Sequence, residues 1–189
     1  MKLIPLGIEG AWLAESPVWN DERGIFREWF KREEVLSMTG IDFSVEQANM
    51  SVSQRGVIRG IHYSLAPEGQ SKWVTCVQGS ILDVIVDIRP KSPTFKKYEI
   101  VELGGIGGRA LLIGAGLGHG FLSLEDNTVT SYLLSSAYSP NFEYEIQPTD
   151  PELGINWHLE LIGGLGVVVS AKDTQAPSLK ERFAEGKLP

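Results

Sequence analysis

The sequence predicts an all-β fold, a sandwich or barrel of short strands with a few short helices, on three observations. Twenty-one glycines and ten prolines occur in 189 residues without a repeating period, which implies many tight turns. From Trp73 onward the chain reads as successive strands, nearly all separated by glycine, proline or Asn/Asp. Helical patterning is scarce.

Taken in order, Trp12 to Trp19, Gly24 to Phe30 and Phe43 to Ser51 look extended, with Asp21-Glu22-Arg23-Gly24 as a turn between the first two. Lys31 to Thr39 reads as a short helix stopped by Gly40. Strands follow at Trp73 to Val77, Ile81 to Ile88, Lys97 to Leu103, Ala110 to Ile113, Gly120 to Leu124 and Thr128 to Leu134. In the second of these, Asp83 and Asp87 share parity with Ile81 and Ile85, so one face is mixed and the other apolar. That pattern suits a strand lining a polar cavity. Gly105-x-Gly107-x-x-Ala110 approximates a dinucleotide fingerprint, but more strand follows it where that motif needs a helix, so a hairpin loop is expected. Pro148 to Pro151 and Gly163 to Gly166 read as loops, and Ser178-Leu179-Lys180-Glu181 has capping-box spacing for a helix ending near Gly186. No composition break, linker or repeat divides the chain, so residues 1–189 are expected to form one domain.

Composition limits what this domain can do. With 42% hydrophobic residues it can build a sizeable core without a disulfide or metal staple. The lone Cys76 cannot bridge within the chain, which points to a reducing, cytoplasmic setting. Seventeen basic against 24 acidic residues give a net charge of −7, the wrong sign for coating nucleic acid or anionic lipid. An anionic ligand must therefore meet a local basic cluster. The N-terminus lacks a signal-type apolar stretch, and nowhere do 18 apolar residues run together, so neither export nor membrane spanning is expected.

The histidines are only three, His62, His119 and His158. Gly56, His62, Ser64 and Glu68, then Gly108, Gly114, Gly116 and His119, shadow the spacing of the two motifs of metal-binding cupins. Ser64 replaces a ligand there, leaving His62, Glu68 and His119 one imidazole short, so no metal cofactor is expected. Spacing alone leaves His62 evenly balanced between a half-buried strand histidine and a functional one. Cys76 is expected to be buried strand filling and His158 a surface residue.

The context of His62 is more specific. Asp21-x-Arg23-Gly24-x-Phe26-x-Glu28, Gln47-x-Asn49-x-Ser51, Gly56-Val57-x-Arg59-Gly60-x-His62, Gln70-x-Lys72, Asp87-x-Arg89-x-x-Ser92-Pro93-Thr94, Gly118-His119-Gly120-Phe121, Tyr132, Tyr138-x-Pro140, Asp150-Pro151, Trp157 and Ser170-x-Lys172-Asp173 occur in that order. Over about residues 5 to 180 the chain thereby resembles the dTDP-4-dehydrorhamnose 3,5-epimerase family, metal-free cupins of deoxysugar biosynthesis. The resemblance implies a jelly-roll cupin, commonly a homodimer exchanging N-terminal strands, that needs no cofactor. Gly114 and His158 stand where the family usually has proline, a departure that bears on loop shape.

The implied chemistry asks for these residue types. A 4-keto group acidifies the hydrogens on C3 and C5, because the carbanion is delocalised as an enolate; one proton is removed and another returned from the opposite face. By resemblance His62 is the base and Asp173 its orienting partner. Tyr132 is the acid on the far face, and Lys72 the cation that stabilises the enolate oxygen. Arg23 and Arg59 match contacts to the diphosphate, for which a guanidinium is well shaped. Gln47, Asn49, Glu28 and Glu143 match polar contacts to sugar and base, Tyr138 the ring that stacks on thymine, and His119 a substrate contact or a residue behind it. Phe26 and Lys172 belong to the same binding set. The expected reaction is epimerisation of dTDP-4-dehydro-6-deoxy-glucose at C3 and C5; epimerisation at one carbon and noncatalytic sugar-nucleotide binding are the alternatives.

Overall fold

The computed structural model describes residues 1–189. Eleven of its strands form two facing sheets. The first runs in the order β1 (Lys2–Pro5), β2 (Ala11–Glu15), β10 (Arg109–Ile113), β7 (Lys72–Gln78), β12 (Thr128–Leu134), β5 (Gln47–Ser53). The second runs β13 (Glu143–Glu145), β6 (Val57–Ser64), β11 (Leu117–Ser123), β8 (Ser80–Asp87), β9 (Tyr98–Gly104). A two-residue strand, β14 (Val168–Val169), adds to β6 and is the sole parallel pairing. A separate hairpin, β3 (Trp19–Asp21) with β4 (Gly24–Phe26), turns at Glu22-Arg23 as expected. The helices are α1 (Arg32–Thr39), α2 (Ala171–Thr174) and α3 (Leu179–Ala184), with a 3-10 turn at Leu159–Ile162.

Strand parity organises the packing. Ile81 and Ile85 of β8 point inward with Val74, Cys76, Leu111 and Phe121 to form the core between the sheets. Leu82, Val84 and Val86, on the other face of β8, pack outward beneath Trp157, Ile162 and Leu179 of the C-terminal segment. The apolar face of β8 is thus the covered back of the sheet, and its mixed face is the inner one. The outer face of the first sheet is covered in turn by Val35 of α1, Phe30 and Phe43 around Trp73, whose indole N–H donates to the Trp29 carbonyl at 2.9 Å.

Local signals hold at several ends. Gly40 closes α1 at φ 75°, and Ser178 and Glu181 make both bonds of a capping box ahead of α3. Cys76 is buried, and burial pushes its thiol up to about 11. Other expectations need correcting. The extended run from Trp12 to Trp19 is broken around Pro17, which cannot donate to a ladder. The expected strand from Phe43 starts only at Gln47 and continues to Ser53, that from Gly24 ends at Phe26, and that at Gly120 begins at Leu117. Gly105 to Gly107 do not close a hairpin, because β9 and β10 belong to different sheets; the turn crosses between them. β6 escapes sequence patterning altogether, since Arg59, Gly60 and His62 interrupt its apolar alternation.

Candidate active site

The site is built on β6 and its neighbours. Gly60 lies at φ +132°, and a Cβ there would sit 2.5 Å from Gly120 Cα and 2.9 Å from the His119 carbonyl. Only glycine allows β6 and β11 to approach so closely. The register places His119 opposite His62, with an irregularity before Phe121.

His62 reaches Asp173 with Nε2 2.7 Å from Oδ1. The partner arrives by a short local device. β14 pairs Val168 with Val57 and Val169 with Ile58, which lays the chain along β6. Ser170 then caps α2 by accepting from the Asp173 amide at 3.0 Å, and Asp173 comes out of that first turn against the imidazole. Burial works against the charge on Asp173, but the His62 hydrogen bond, the Ser170 hydroxyl and the Gly60 amide outweigh it and hold the carboxyl below its usual range. With Nε2 committed to Asp173, Nδ1 is the ring nitrogen left to exchange a proton.

Lys72, on β7, is only 8% exposed, and its ammonium donates to the His62 carbonyl at 3.2 Å. Burial pulls it down to about 8, while Glu143 and Asp83 push it back up. Tyr132, on β12 next to β7 and so on the sheet that faces His62, lies between Asn49 and Val74 in register. Gln47 donates to Asn49 Oδ1 at 2.8 Å and accepts from the Tyr138 amide at 2.7 Å. Gln47 therefore ties the loop bearing Tyr138, itself 60% exposed, to the mouth of the cavity. Gln70 donates to Glu143 at 3.2 Å, and Lys172 pairs with Glu145 at 3.0 Å.

These groups enclose a cavity of about 160 Å³ whose walls include Asn49, His62, Lys72, Tyr132, Tyr138 and Glu143. An adjoining recess of about 380 Å³ holds Arg59, Ser170 and Asp173 and shares His62 and Lys172 with the first. His119 stands behind the wall, Nε2 2.9 Å from Asp83 Oδ2, both buried. The largest recess of the surface, about 790 Å³ between Arg89 and the chain end, contains none of the expected site residues.

Three expected residues do not join the others. Arg23 is paired with Asp21 on the β3–β4 hairpin and its side chain is 86% exposed; Phe26 is 66% exposed, and Glu28 lies beside Lys31 at 3.8 Å. None of them lines the cavity or its recess within one chain. The His62, Glu68 and His119 set is not gathered either: Glu68 is exposed, and each histidine faces its own aspartate. Conversely, Asp83, Glu145 and Ser170 belong to the site's framework but fell outside the expected set. For Asp83 the inward parity of β8 was the available signal.

Two facing sheets with titratable groups converging between them define a jelly-roll protein of the cupin type with a cavity equipped for acid–base chemistry. The model of the dTDP-4-dehydrorhamnose 3,5-epimerase family matches residues 5–181. A dTDP-4-dehydrorhamnose 3,5-epimerase of Streptomyces griseus is 44% identical over 185 residues, covering 98% of this chain and 90% of that one. The rmlC epimerase of Mycobacterium tuberculosis superposes with a TM-score of 0.96 at 41% identity, over 100% of this chain and 94% of its own. ChmJ, a 3'-monoepimerase from Streptomyces bikiniensis solved in complex with dTDP-quinovose, superposes at 0.92 with 44% identity, over 98% and 92%. The chain belongs to the dTDP-4-dehydrorhamnose 3,5-epimerase family.

Proposed function

We propose that this protein epimerises C3 and C5 of dTDP-4-dehydro-6-deoxy-glucose, giving dTDP-4-dehydro-L-rhamnose. The observation that carries the reading is the opposition across one cavity of a His62–Asp173 pair on one sheet and Tyr132 on the other, with a buried lysine on the Tyr132 side reaching the His62 carbonyl. An inversion needs that arrangement: His62 Nδ1 takes the proton from one face, Asp173 balances the imidazolium, and Tyr132 returns a proton to the other face. Lys72, protonated, stabilises the enolate oxygen at C4 in surroundings where water screens little. Arg59 and Lys172 supply the cationic edge of the adjoining recess for the diphosphate, and Tyr138 at the mouth is placed to stack on the base. A noncatalytic binding module would have no use for the His62–Asp173 pair.

The working unit in this reading is a homodimer and a cytoplasmic enzyme, with residues 1–189 as one catalytic domain. The hairpin exposes Trp19, Ile25 and Phe26, and β5 exposes Met50 and Val52. Both are apolar surfaces that a second copy would cover, and the same exchange would bring Arg23, Phe26 and Glu28 of one chain to the cavity of the other. No helix is long and apolar enough to cross a membrane.

A second reading, epimerisation at one carbon, is supported by the likeness to a monoepimerase at the same 44% identity as the Streptomyces griseus enzyme. Incubation with the substrate in deuterated water, followed by NMR, separates the two. Deuterium with inversion at both C3 and C5 is expected; label confined to one carbon replaces the double reaction with the single one.

A further inference from the structure

We propose that Glu145 is a positioning residue for the His62–Asp173 pair: braced by Arg182, it holds Lys172 and so fixes the one-turn helix α2 that presents Asp173. This assignment rests on the epimerase reading above and gives a task to two residues outside the expected site.

α2 spans only Ala171–Thr174. A single helical turn does not keep its shape in water, because ordering the first turn costs more than its own bonds return. Contacts from outside must therefore set where Asp173 points. β13 pairs antiparallel with β6, and Glu145 stands opposite His62 in register. The pairing continues through Ile146, whose amide and carbonyl both bond Ile61, at 2.9 and 3.0 Å. Cross-strand partners lie side by side on one face, and two consecutive residues of α2 meet this pair. Asp173 reaches His62 at 2.7 Å, and Lys172 reaches Glu145 at 3.0 Å. Two residues beyond Glu145, Gln147 donates to the Thr174 carbonyl at 3.3 Å. Asp173 is thus held on both sides along the chain by the segment that neighbours His62.

Glu145 is itself braced from the far side. Arg182 of α3 donates through Nη2 to Glu145 Oε1 at 3.3 Å and through Nε to the Glu145 carbonyl at 2.9 Å, and its guanidinium lies over the Tyr144 ring at 5.3 Å. β13 is the last strand of its sheet, so the guanidinium takes up an edge carbonyl that no further strand covers. The side chains of Glu145 and Arg182 are 15% and 11% exposed, against 65% for Lys172. Ion pairs exposed at both ends contribute little, because two long side chains must be ordered; here one end is already immobile. Each carboxylate oxygen serves one cation, Oε1 Arg182 and Oε2 Lys172. An ammonium has three donors, so Lys172 can stay on Glu145 while offering another hydrogen to an anion in the recess it borders. The Ser170 cap shapes the turn, and Glu145 sets its orientation. An imidazolium formed at His62 needs the Asp173 carboxylate in place at that moment.

Glu145→Ala releases Lys172 and leaves Arg182 bonded to Glu185 at 3.1 Å and to the same backbone carbonyl. Two readouts follow: kcat for exchange of substrate hydrogen with solvent, and the downfield 1H signal of the His62 Nε2 hydrogen in protein without substrate. Asp173→Ala supplies the reference for a broken pair. In Glu145→Ala, kcat should fall about tenfold, and the His62 signal should move toward its position in Asp173→Ala. Added to Asp173→Ala, the same change should cost less than about twofold, since a residue acting through Asp173 then has nothing left to position. An unmoved His62 signal, an unchanged kcat, or a full tenfold loss on top of Asp173→Ala overturns the proposal. Wild type that exchanges nothing overturns the epimerase reading instead, and the His62 signal alone then tests the hold on α2. Should Glu145→Ala fail to fold, Lys172→Met cuts the same contact from the other side with the Glu145–Arg182 pair intact. The same displacement of the His62 signal is expected there, and a wild-type signal overturns the assignment.

Discussion

Replacing Lys72 with methionine should make the protein more stable and nearly inactive. The ammonium is drawn from its ordinary 10.5 down to about 8 because burial penalises its charge more than Glu143 and Asp83 support it. At 1.36 kcal/mol per pH unit, holding that charge costs the folded state about 3 kcal/mol at neutral pH. Methionine fills a similar volume without a charge but loses the bond to the His62 carbonyl at 3.2 Å, worth about 1.5 kcal/mol for a charged donor. The net gain is about 1.5 kcal/mol at pH 7, or a rise in Tm of about 3–6 °C for a chain of this size. The sign can be checked against pH. Between about 8 and 10.5 the unfolded chain carries a proton on Lys72 that the folded one lacks, so wild-type stability rises with pH across that window. The penalty is complete below it and gone above it, and the advantage of Lys72→Met should therefore close as pH approaches 10. Urea or thermal unfolding of both proteins at pH 7 and pH 10 measures the gap, and solvent exchange into the substrate should drop about 10²-fold or more at pH 7. A variant that melts below wild type at pH 7, or a gap that does not change with pH, would refute the assignment of a desolvated, functional charge to Lys72.

The acid and base separate in exchange experiments: Tyr132→Phe should still wash solvent deuterium into the substrate while forming little epimer, whereas His62→Ala should lose about 10²–10⁴-fold in both. Equal exchange by His62→Ala and wild type removes His62 from the role of base. Tyr138→Ala should raise KM about tenfold with little change in kcat, because stacking is felt alike in ground and transition states; steady-state kinetics showing an unaltered KM would put the ring outside the nucleotide site. Activity should survive exhaustive chelation, since no group of three metal-ligating side chains gathers at His62 or His119. Loss with EDTA and recovery with a divalent ion would contradict that.

What the sequence by itself determined was whatever depends on neighbours along the chain. The inward aspartates of β8, the Gly40 stop and the Ser178–Glu181 capping box rest on a period of two residues or a single turn, and each appears where patterning put it. The ordered blocks around His62 were legible as well, because a family constrains residue types at fixed spacing. Tertiary structure decided what those residues face. His62 and Asp173 lie 111 positions apart, and only the parallel pairing of the two-residue β14 with β6 brings them together. A strand and helix this short leave no periodicity to detect. Lys72 becomes a desolvated cation because β6, β8, β12 and β13 surround it, and dielectric environment is a property of the assembled walls rather than of Gln70-x-Lys72. The hairpin bearing Arg23 and Phe26 marks the same division: its turn is local chemistry and formed as expected, but Trp19, Ile25 and Phe26 stay exposed in the one chain although Trp19 and Phe26 lie against each other, because burial is settled by what packs against a surface and not by the residues that make it.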